Sequence, residues 1–361
     1  MAQVLVNYSV NVKKNDKVII SASYLAKPLI ESLYEEILKS GGHPILRIGV
    51  PGLKERFYEY AEKFQLEYVC EFEKHELETV DCIINVISDS NTKCLHNVSN
   101  EKQAIERRAK KYLSDTFLER VGREELRAVI TLFPTNGLAQ AAGMSTRAYE
   151  EFVMTSCFLN DKNPQSSWEK LSLWQGKICE FLNKKDIIHI KSAGTDIKFN
   201  VKGRTWINCD GKMNFPDGEV FTGPHEDYTH GYITFSYPAC YYGKEVLDVK
   251  LWFENGKIVK YEASENIEFL KKMLEMDDGA KIVGELAIGT NLGVQKFTRN
   301  VLFDEKIGGT IHVAVGQSIP QSGGKNKSMI HWDMINNMRN DGEIWADEEL
   351  IQKDGQFTLD F

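Results

Sequence analysis

The feature that most constrains the fold is an alternation of short apolar segments and helical segments in the first part of the chain. Residues 27–39 place leucine and isoleucine at helical spacing, and Gly41-Gly42 ends the pattern. Apolar runs typical of buried strands lie at residues 17–21, 43–48, 82–87 and 126–133. Because strands joined by helices usually pair in parallel, the pattern predicts a parallel sheet covered by helices.

The pattern changes after a polar, turn-rich stretch at residues 161–167, which we interpret as a domain boundary. After a helix at 168–182 the segments become shorter, and apolar residues alternate with polar ones. Such strands are expected at residues 187–191, 196–201 and 247–253. Asn255-Gly256 follows the last of them and is typical of a type I′ hairpin turn.

We therefore predict an α/β protein with two domains. Residues 1–165 are expected to form an N-terminal parallel α/β domain. Residues 166–361 are expected to form a mixed, largely antiparallel α+β domain that carries the functional site, with a helix near residues 267–276.

Composition and charge exclude several classes of partner. The formal charge of −8 argues against nucleic acid or an anionic membrane. No G-x-G-x-x-G or Walker sequence follows any predicted strand, so no nucleotide site is expected.

Seven cysteines without regular spacing favour reduced thiols, and the N terminus lacks the segments of a signal peptide. We therefore expect a cytoplasmic protein.

Two histidines and an aspartate in the last part of the chain suggest a metal site. His331 and Asp333 are two positions apart, so on a strand their side chains share a face and can bind one cation together. His312 lies in an apolar, strand-like run, where a hydrogen-bonded core histidine is the alternative. Imidazole and carboxylate groups are suitable ligands for divalent cations.

Three glutamates are further candidate ligands. Glu219 follows the turn Pro-Asp-Gly, and a solvated loop acid is the alternative interpretation. Glu285 precedes an apolar segment, where a buried carboxylate needs a partner, and that partner could be a salt bridge. Glu305 lies in the charged run Asp-Glu-Lys, which could simply be a charged turn, and it is a weak candidate by itself.

Other reactive residues carry weaker signals. His225 and His230 could line the same cleft as Glu219, although their sequence favours surface loop positions. A serine hydrolase is disfavoured because no G-x-S-x-G sequence occurs. Cys157 lies in a predicted buried helix, where an inert thiol is expected.

Taken in order, several segments resemble the aminopeptidase T family of metallopeptidases, over nearly the whole chain. They are residues 5–9, 142–145, 203–206, 218–224, 284–291, 304–306 and 331–333. The resemblance implies a metal-dependent aminopeptidase that acts on small peptides and assembles as a homodimer. It also implies two divalent metal ions, with zinc, cobalt, manganese and magnesium all compatible with the ligands. The residues that match the family's metal ligands are Glu219, Glu285, Glu305, His312, His331 and Asp333.

The chain departs from the family at one position. Members commonly carry a tyrosine in a G-x-S-Y-P segment, where this chain has Ile319 before Pro320. Isoleucine can neither ligate a cation nor donate a hydrogen bond. The departure leaves three consequences open: a weaker metal site, lower turnover or a changed reaction.

Three functions are consistent with these residues. In the first, two metal ions lower the pKa of a water molecule from about 15.7 to about 7, and Glu219 or Glu285 passes its proton to the leaving amine. In the second, His312, His331 and Asp333 form the facial triad of a non-haem Fe(II) dioxygenase, since the ring-cleaving dihydroxypyridine dioxygenases resemble the same family. The third is a catalytically silent relative.

Overall fold

The fold was described from a computed structural model that covers every residue from Met1 to Phe361. The α-helices are α1 Ala2–Val4, α2 Lys27–Lys39, α3 Leu53–Tyr60, α4 Lys63–Leu66, α5 Glu71–Thr79, α6 Asn100–Ala109, α7 Lys111–Gly122, α8 Asn136–Ala141, α9 Thr146–Ser156, α10 Pro164–Leu182, α11 Ile267–Leu274 and α12 Val301–Asp304. A π-helical turn spans Leu5–Ser9, and 3₁₀ turns span Tyr24–Ala26 and Pro320–Ser322. No helix is both long enough and apolar enough to cross a bilayer.

Twenty strands form four sheets. The strands are β1 Lys17–Ser23, β2 His43–Gly49, β3 Cys82–Ile87, β4 Arg127–Leu132, β5 Ile187–Ser192, β6 Thr195–Asn200, β7 Ile207–Cys209, β8 Asn214–Phe215, β9 Glu219–Thr222, β10 His230–Thr234, β11 Ala239–Tyr241, β12 Lys244–Val246, β13 Lys250–Glu254, β14 Lys257–Glu262, β15 Val283–Gly289, β16 Thr310–Gly316, β17 His331–Asn337, β18 Glu343–Ala346, β19 Glu349–Lys353 and β20 Gln356–Phe357.

The chain divides into two compact units. The first comprises Met1–Val153 and Gly211–Phe215, and the second comprises Met154–Asp210 and Pro216–Phe361. The division falls within α9, before the predicted boundary. Part of the stretch predicted as a turn-rich boundary is helical, because Asn163 caps the first turn of α10 and Pro164 begins it. That residues 1–165 and 166–361 fold as separate domains stays a prediction.

The first unit contains a five-stranded parallel sheet in the order β2-β1-β3-β4-β8. Helix α2 begins and ends where the sequence predicted, and Leu33 and Ile37 lie on its buried face, whereas Leu38 is exposed. Burial of each such side chain stabilises the fold by about 1.5–3 kcal/mol. Strand β8 has only two residues and was not predicted.

The second unit contains three antiparallel sheets. One has eight strands in the order β14-β13-β10-β6-β5-β18-β19-β20, one is the hairpin β11-β12, and one has five strands in the order β17-β16-β15-β9-β7. The predicted hairpin turn joins β13 to β14, with positive φ of 47° at Asn255 and 80° at Gly256. The predicted helix at 267–276 ends two residues early, as α11. A parallel sheet followed by antiparallel sheets confirms the predicted α/β fold class.

The five-stranded antiparallel sheet has one face in the main hydrophobic core of the second unit. Leu286, Val313 and Met334 lie on adjacent strands and are all within this core. Because side chains alternate along a strand, their neighbours in sequence lie on the opposite face. That face carries the polar residues described next.

Candidate metal centre

Four neighbouring strands place the predicted ligands together. Glu219 begins β9, Glu285 lies in β15, His312 lies in β16, and His331 and Asp333 lie in β17. These strands are adjacent in the order β17-β16-β15-β9, so residues far apart in sequence converge on one sheet.

The register aligns the ligands in rows across the sheet. Ala314 of β16 lies opposite Glu285 on one side and opposite Asp333 on the other. His312 lies opposite Ala287 of β15. Directly opposed residues share a face of the sheet. Glu219 lies opposite Gly289, and His331 lies opposite Gly316. The small alanine and glycine residues beside the ligands therefore leave room for the longer side chains to meet above the strands.

The first donor group is centred on the fully buried His312. Its Nε2 lies 3.1 Å from Glu285 Oε1 and 3.5 Å from Glu219 Oε2. The ligand atoms of this group all lie within 4.8 Å of one another. Three side chains from three strands thus face a common point.

The second donor group is centred on His331. Its Nε2 lies 3.4 Å from Asp333 Oδ2 and 3.8 Å from Glu285 Oε2. The ring is oriented by Nδ1–H, which donates to the carbonyl oxygen of Gln317 at 2.7 Å. In the neutral ring this hydrogen bond keeps the proton on Nδ1 and leaves the lone pair on Nε2, as in metal-bound histidines. Glu285 belongs to both groups and connects them.

Three buried carboxylate oxygens in the two groups have no hydrogen-bond partner. They are Glu219 Oε2, Glu285 Oε2 and Asp333 Oδ1. A buried polar atom without a partner is costly, and buried charges are usually paired or bound to a metal. Imidazole and carboxylate donors are the ligands that zinc, cobalt and manganese accept. The residues present therefore fit a site for divalent cations.

Both imidazoles have raised pKa values. Burial lowers the pKa of His312, but the charge of Glu219 and the hydrogen bond to Glu285 outweigh burial and raise the pKa to about 10. Burial likewise lowers the pKa of His331, and the charges of Asp333 and Glu285 raise it to about 9. Without cations, both rings therefore hold protons at neutral pH, and bound cations would displace these protons.

Two of the carboxyl groups have raised pKa values as well. Burial raises the pKa of Asp333 to about 8, against the opposing charge of His331. Burial also raises the pKa of Glu219, against the charges of Lys306 and His312. The pocket thus concentrates more acids than it can leave ionised without added positive charge.

Glu305 belongs to neither donor group. Its Oε2 is 3.0 Å from Lys306 Nζ. Burial raises the pKa of Glu305, but the charges of Lys306 and His312 outweigh it, so the pKa is lowered. Its prediction as a ligand stays a prediction.

Lys306 is a site residue that the sequence analysis missed. Its side chain is only 1% exposed, and Nζ lies 2.6 Å from Glu219 Oε1. Burial lowers the pKa of Lys306, but the charges of Glu219 and Glu305 raise it well above its ordinary value. The only sequence signal was a lysine in a charged triplet, which is typical of an exposed turn.

The other candidate residues lie outside both donor groups. His225 Nε2 is 2.8 Å from the carbonyl oxygen of Lys202, and the His230 ring makes an edge contact with Tyr228. Cys157 is fully buried just after α9, and burial raises the pKa of its thiol, as expected for an inert cysteine.

Comparison with known proteins gives a consistent assignment. Aminopeptidase AmpS of Bacillus subtilis (strain 168) is 23% identical over 98% of this chain and 92% of its own length. Aminopeptidase T of Thermus aquaticus is 30% identical over 49% of this chain and 50% of its own length.

Two solved structures share the fold. Wild-type AmpT from Thermus thermophilus has a TM-score of 0.86 at 22% identity, covering 99% of this chain and 98% of that chain. A 2,5-dihydroxypyridine dioxygenase from Pseudomonas putida KT2440 has a TM-score of only 0.57 at 13% identity, covering 97% of this chain and 93% of that chain.

A family model described as thermophilic metalloprotease (M29) matches residues 1–357. This match extends over almost the whole chain and includes every residue of the two donor groups. It agrees with the resemblance to aminopeptidase T that the sequence motifs indicated. This chain therefore belongs to the M29 family of thermophilic metalloproteases.

Proposed function

We propose that this chain is a metal-dependent aminopeptidase that removes N-terminal residues from small peptides. Two divalent cations would be held by Glu219, Glu285, His312, His331 and Asp333. The observation that supports this most is the pair of donor groups joined by Glu285. The M29 family and the aminopeptidase relatives support the reaction class.

Bound cations would supply Lewis-acid activation of a water molecule and of the scissile carbonyl group. Residues of the chain orient the metal ligands and leave space for the substrate. Gln317 fixes the tautomer of His331 through its carbonyl oxygen. Ala287 and Ala314 keep space open above the sheet for substrate and water.

A proton must pass from the attacking water to the leaving amine. Glu219 Oε2 and Glu285 Oε1 lie 3.5 Å and 3.1 Å from His312 Nε2, so both carboxyl groups border the space where the cations and the attacking water would lie. We therefore propose Glu219 and Glu285 as the catalytic acids and bases.

A ring-cleaving dioxygenase is the second candidate, because one solved neighbour is such an enzyme. Its structural similarity is much weaker than that of AmpT. A facial triad needs only His312, His331 and Asp333. Glu219 and Glu285 lie within 3.5 Å of His312, and this extra pair of carboxylates favours two cations.

Elemental analysis and a peptide panel test the proposal together. We expect two non-iron divalent ions per chain and release of N-terminal amino acids from short peptides. N-acetylated peptides should resist cleavage, because an aminopeptidase needs the free α-amino group. Asp333→Asn should lose metal and activity, whereas Glu349→Gln, which changes a surface ion pair with Lys185, should lose neither. One iron per chain with no peptide cleavage would refute the proposal.

We also propose that the protein is a cytoplasmic homodimer with Zn²⁺, Co²⁺, Mn²⁺ or Mg²⁺ as its metal. All seven cysteines are free, which agrees with a reducing compartment. The dimer rests on the family resemblance alone. Light scattering after gel filtration tests it, and a monomer at micromolar concentration would contradict it.

A further inference from the structure

The ammonium group of Lys306 lies inside the acidic pocket. Nζ is 2.6 Å from Glu219 Oε1, 3.0 Å from Glu305 Oε2 and 3.9 Å from Asp217 Oδ1. The side chain is 1% exposed. Removing a lysine from water is costly unless carboxylates surround it, so its position is specific to this pocket.

Lys306 gives the two carboxylate oxygens of Glu219 different partners. Oε1 binds the ammonium group, whereas Oε2 points toward His312 at 3.5 Å. Glu219 can therefore offer only one oxygen to a cation in the first donor group. No ion pair joins Lys306 to Glu285, which the two groups share, or to Asp333 of the second group.

A third set of possible ligands lies on the other side of Glu219. Cys209 is paired with Glu219 across β7 and β9, and together with Asp217 they bring three donor atoms within 4.8 Å of one another. Lys306 Nζ contacts two of these three residues. The ammonium group of Lys306 thus supplies a positive charge where this set would otherwise attract a further metal ion.

The charges in the pocket agree with this role. Five carboxylates line the pocket, and the ammonium group of Lys306 offsets the charge of one of them. The four negative charges that remain equal the positive charge of two divalent cations. The five acids are Asp217, Glu219, Glu285, Glu305 and Asp333.

We propose that Lys306 is a positioning residue that acts as a fixed internal cation. It holds Glu219 as a ligand that offers one oxygen. It also makes the divalent ion at Glu219, Glu285 and His312 the more weakly bound of the two ions. The reason is repulsion, since a positive charge close to this ion raises its free energy more than that of the ion beside His331 and Asp333. The inference rests on the proposed two-cation site and adds an order of binding to it.

Titration of metal-free protein with Co²⁺, followed by calorimetry and visible absorption, tests the proposal without any substrate. The wild-type chain should bind two equivalents with clearly different affinities. Lys306→Met and Lys306→Gln should bind the weaker equivalent at least tenfold more tightly. The glutamine variant keeps a hydrogen-bond donor without the charge, so agreement between the two variants assigns the effect to charge.

Lys185→Met is the matched control, because it also removes a lysine that pairs with a glutamate of the second unit. It should leave both affinities unchanged. Equal affinities in the wild-type chain would overturn the proposal, and this measurement needs no variant to fold. Unchanged or weaker binding in both Lys306 variants would also overturn it. Peptide cleavage is assayed separately, so two-cation binding without cleavage would contradict only the proposed aminopeptidase.

Discussion

Ala314 lies between two candidate ligands, and enlarging it tests whether the site depends on one face of the sheet. The residue is fully buried, opposite Glu285 and Asp333. Cβ atoms of opposed residues lie about 4.5–5.5 Å apart, so two further methyl groups in Ala314→Val would press on both carboxylates. We expect a loss of about 1–3 kcal/mol in free energy of unfolding, and at least tenfold weaker Co²⁺ binding.

The adjacent residue supplies the control. Val313 is also fully buried in β16, but it lies opposite Leu286 and Met334 in the hydrophobic core. Val313→Ala removes two methyl groups and leaves a cavity, which should cost about 2–3 kcal/mol. The two variants therefore lose similar stability for opposite reasons, overpacking on one face and underpacking on the other.

Urea unfolding of the metal-free proteins measures the two stabilities, and Co²⁺ titration measures the affinities. Val313→Ala should bind Co²⁺ within about twofold of the wild-type chain, because its site face is intact. If both variants lose affinity in proportion to stability, the assignment of faces is wrong. Unchanged affinity in Ala314→Val would refute the reasoning as well.

Three further predictions follow from the structure. In the first unit, burial raises the pKa of Glu106, but hydrogen bonds from Lys54 and Tyr58 outweigh burial, so the pKa is lowered. The resulting stability is present above the unfolded pKa of about 4.3 and is lost in more acidic solution. Glu106→Gln should therefore lower the free energy of unfolding by about 2 kcal/mol at pH 7, measured by urea unfolding. A loss of the same size in acid would contradict this. Removal of bound metal with a chelator should lower the melting temperature. A cation added back at 100 times its Kd should raise the free energy of unfolding by about 2.7 kcal/mol per site, which calorimetry can measure. Ile319→Tyr, which adds a hydrogen-bond donor, should raise kcat for peptides by about tenfold or more without changing the metal count, and a changed count would contradict this.

Local patterns in the sequence were sufficient for the main elements of the fold. The helix at 27–39 and the Asn255-Gly256 turn were predicted correctly, because apolar periodicity and positive φ are properties of a few adjacent residues. The strand predicted at 247–253 begins only at Lys250 in the structure. Boundaries of this kind depend on pairing partners that periodicity does not report.

The convergence of the candidate ligands came from the family motifs rather than from local pattern. Glu219 meets Glu285 only because β9 pairs with β15, and no short-range signal specifies this long-range pairing. The role of Lys306 was missed for the same reason. A lysine in a charged triplet becomes buried only when three separate acids surround it, and these acids are brought together by the sheet.

The two residues of β8 have a practical consequence for dissecting the protein. Asn214 and Phe215 of β8 pair with Ile130 and Thr131 of β4, and β9 begins a few residues later at Glu219. A fragment cut after Val153 would carry β4 as a bare edge, open to pairing with other copies. Such a fragment should aggregate on expression, whereas one with residues 211–215 fused behind a short linker should stay dispersed.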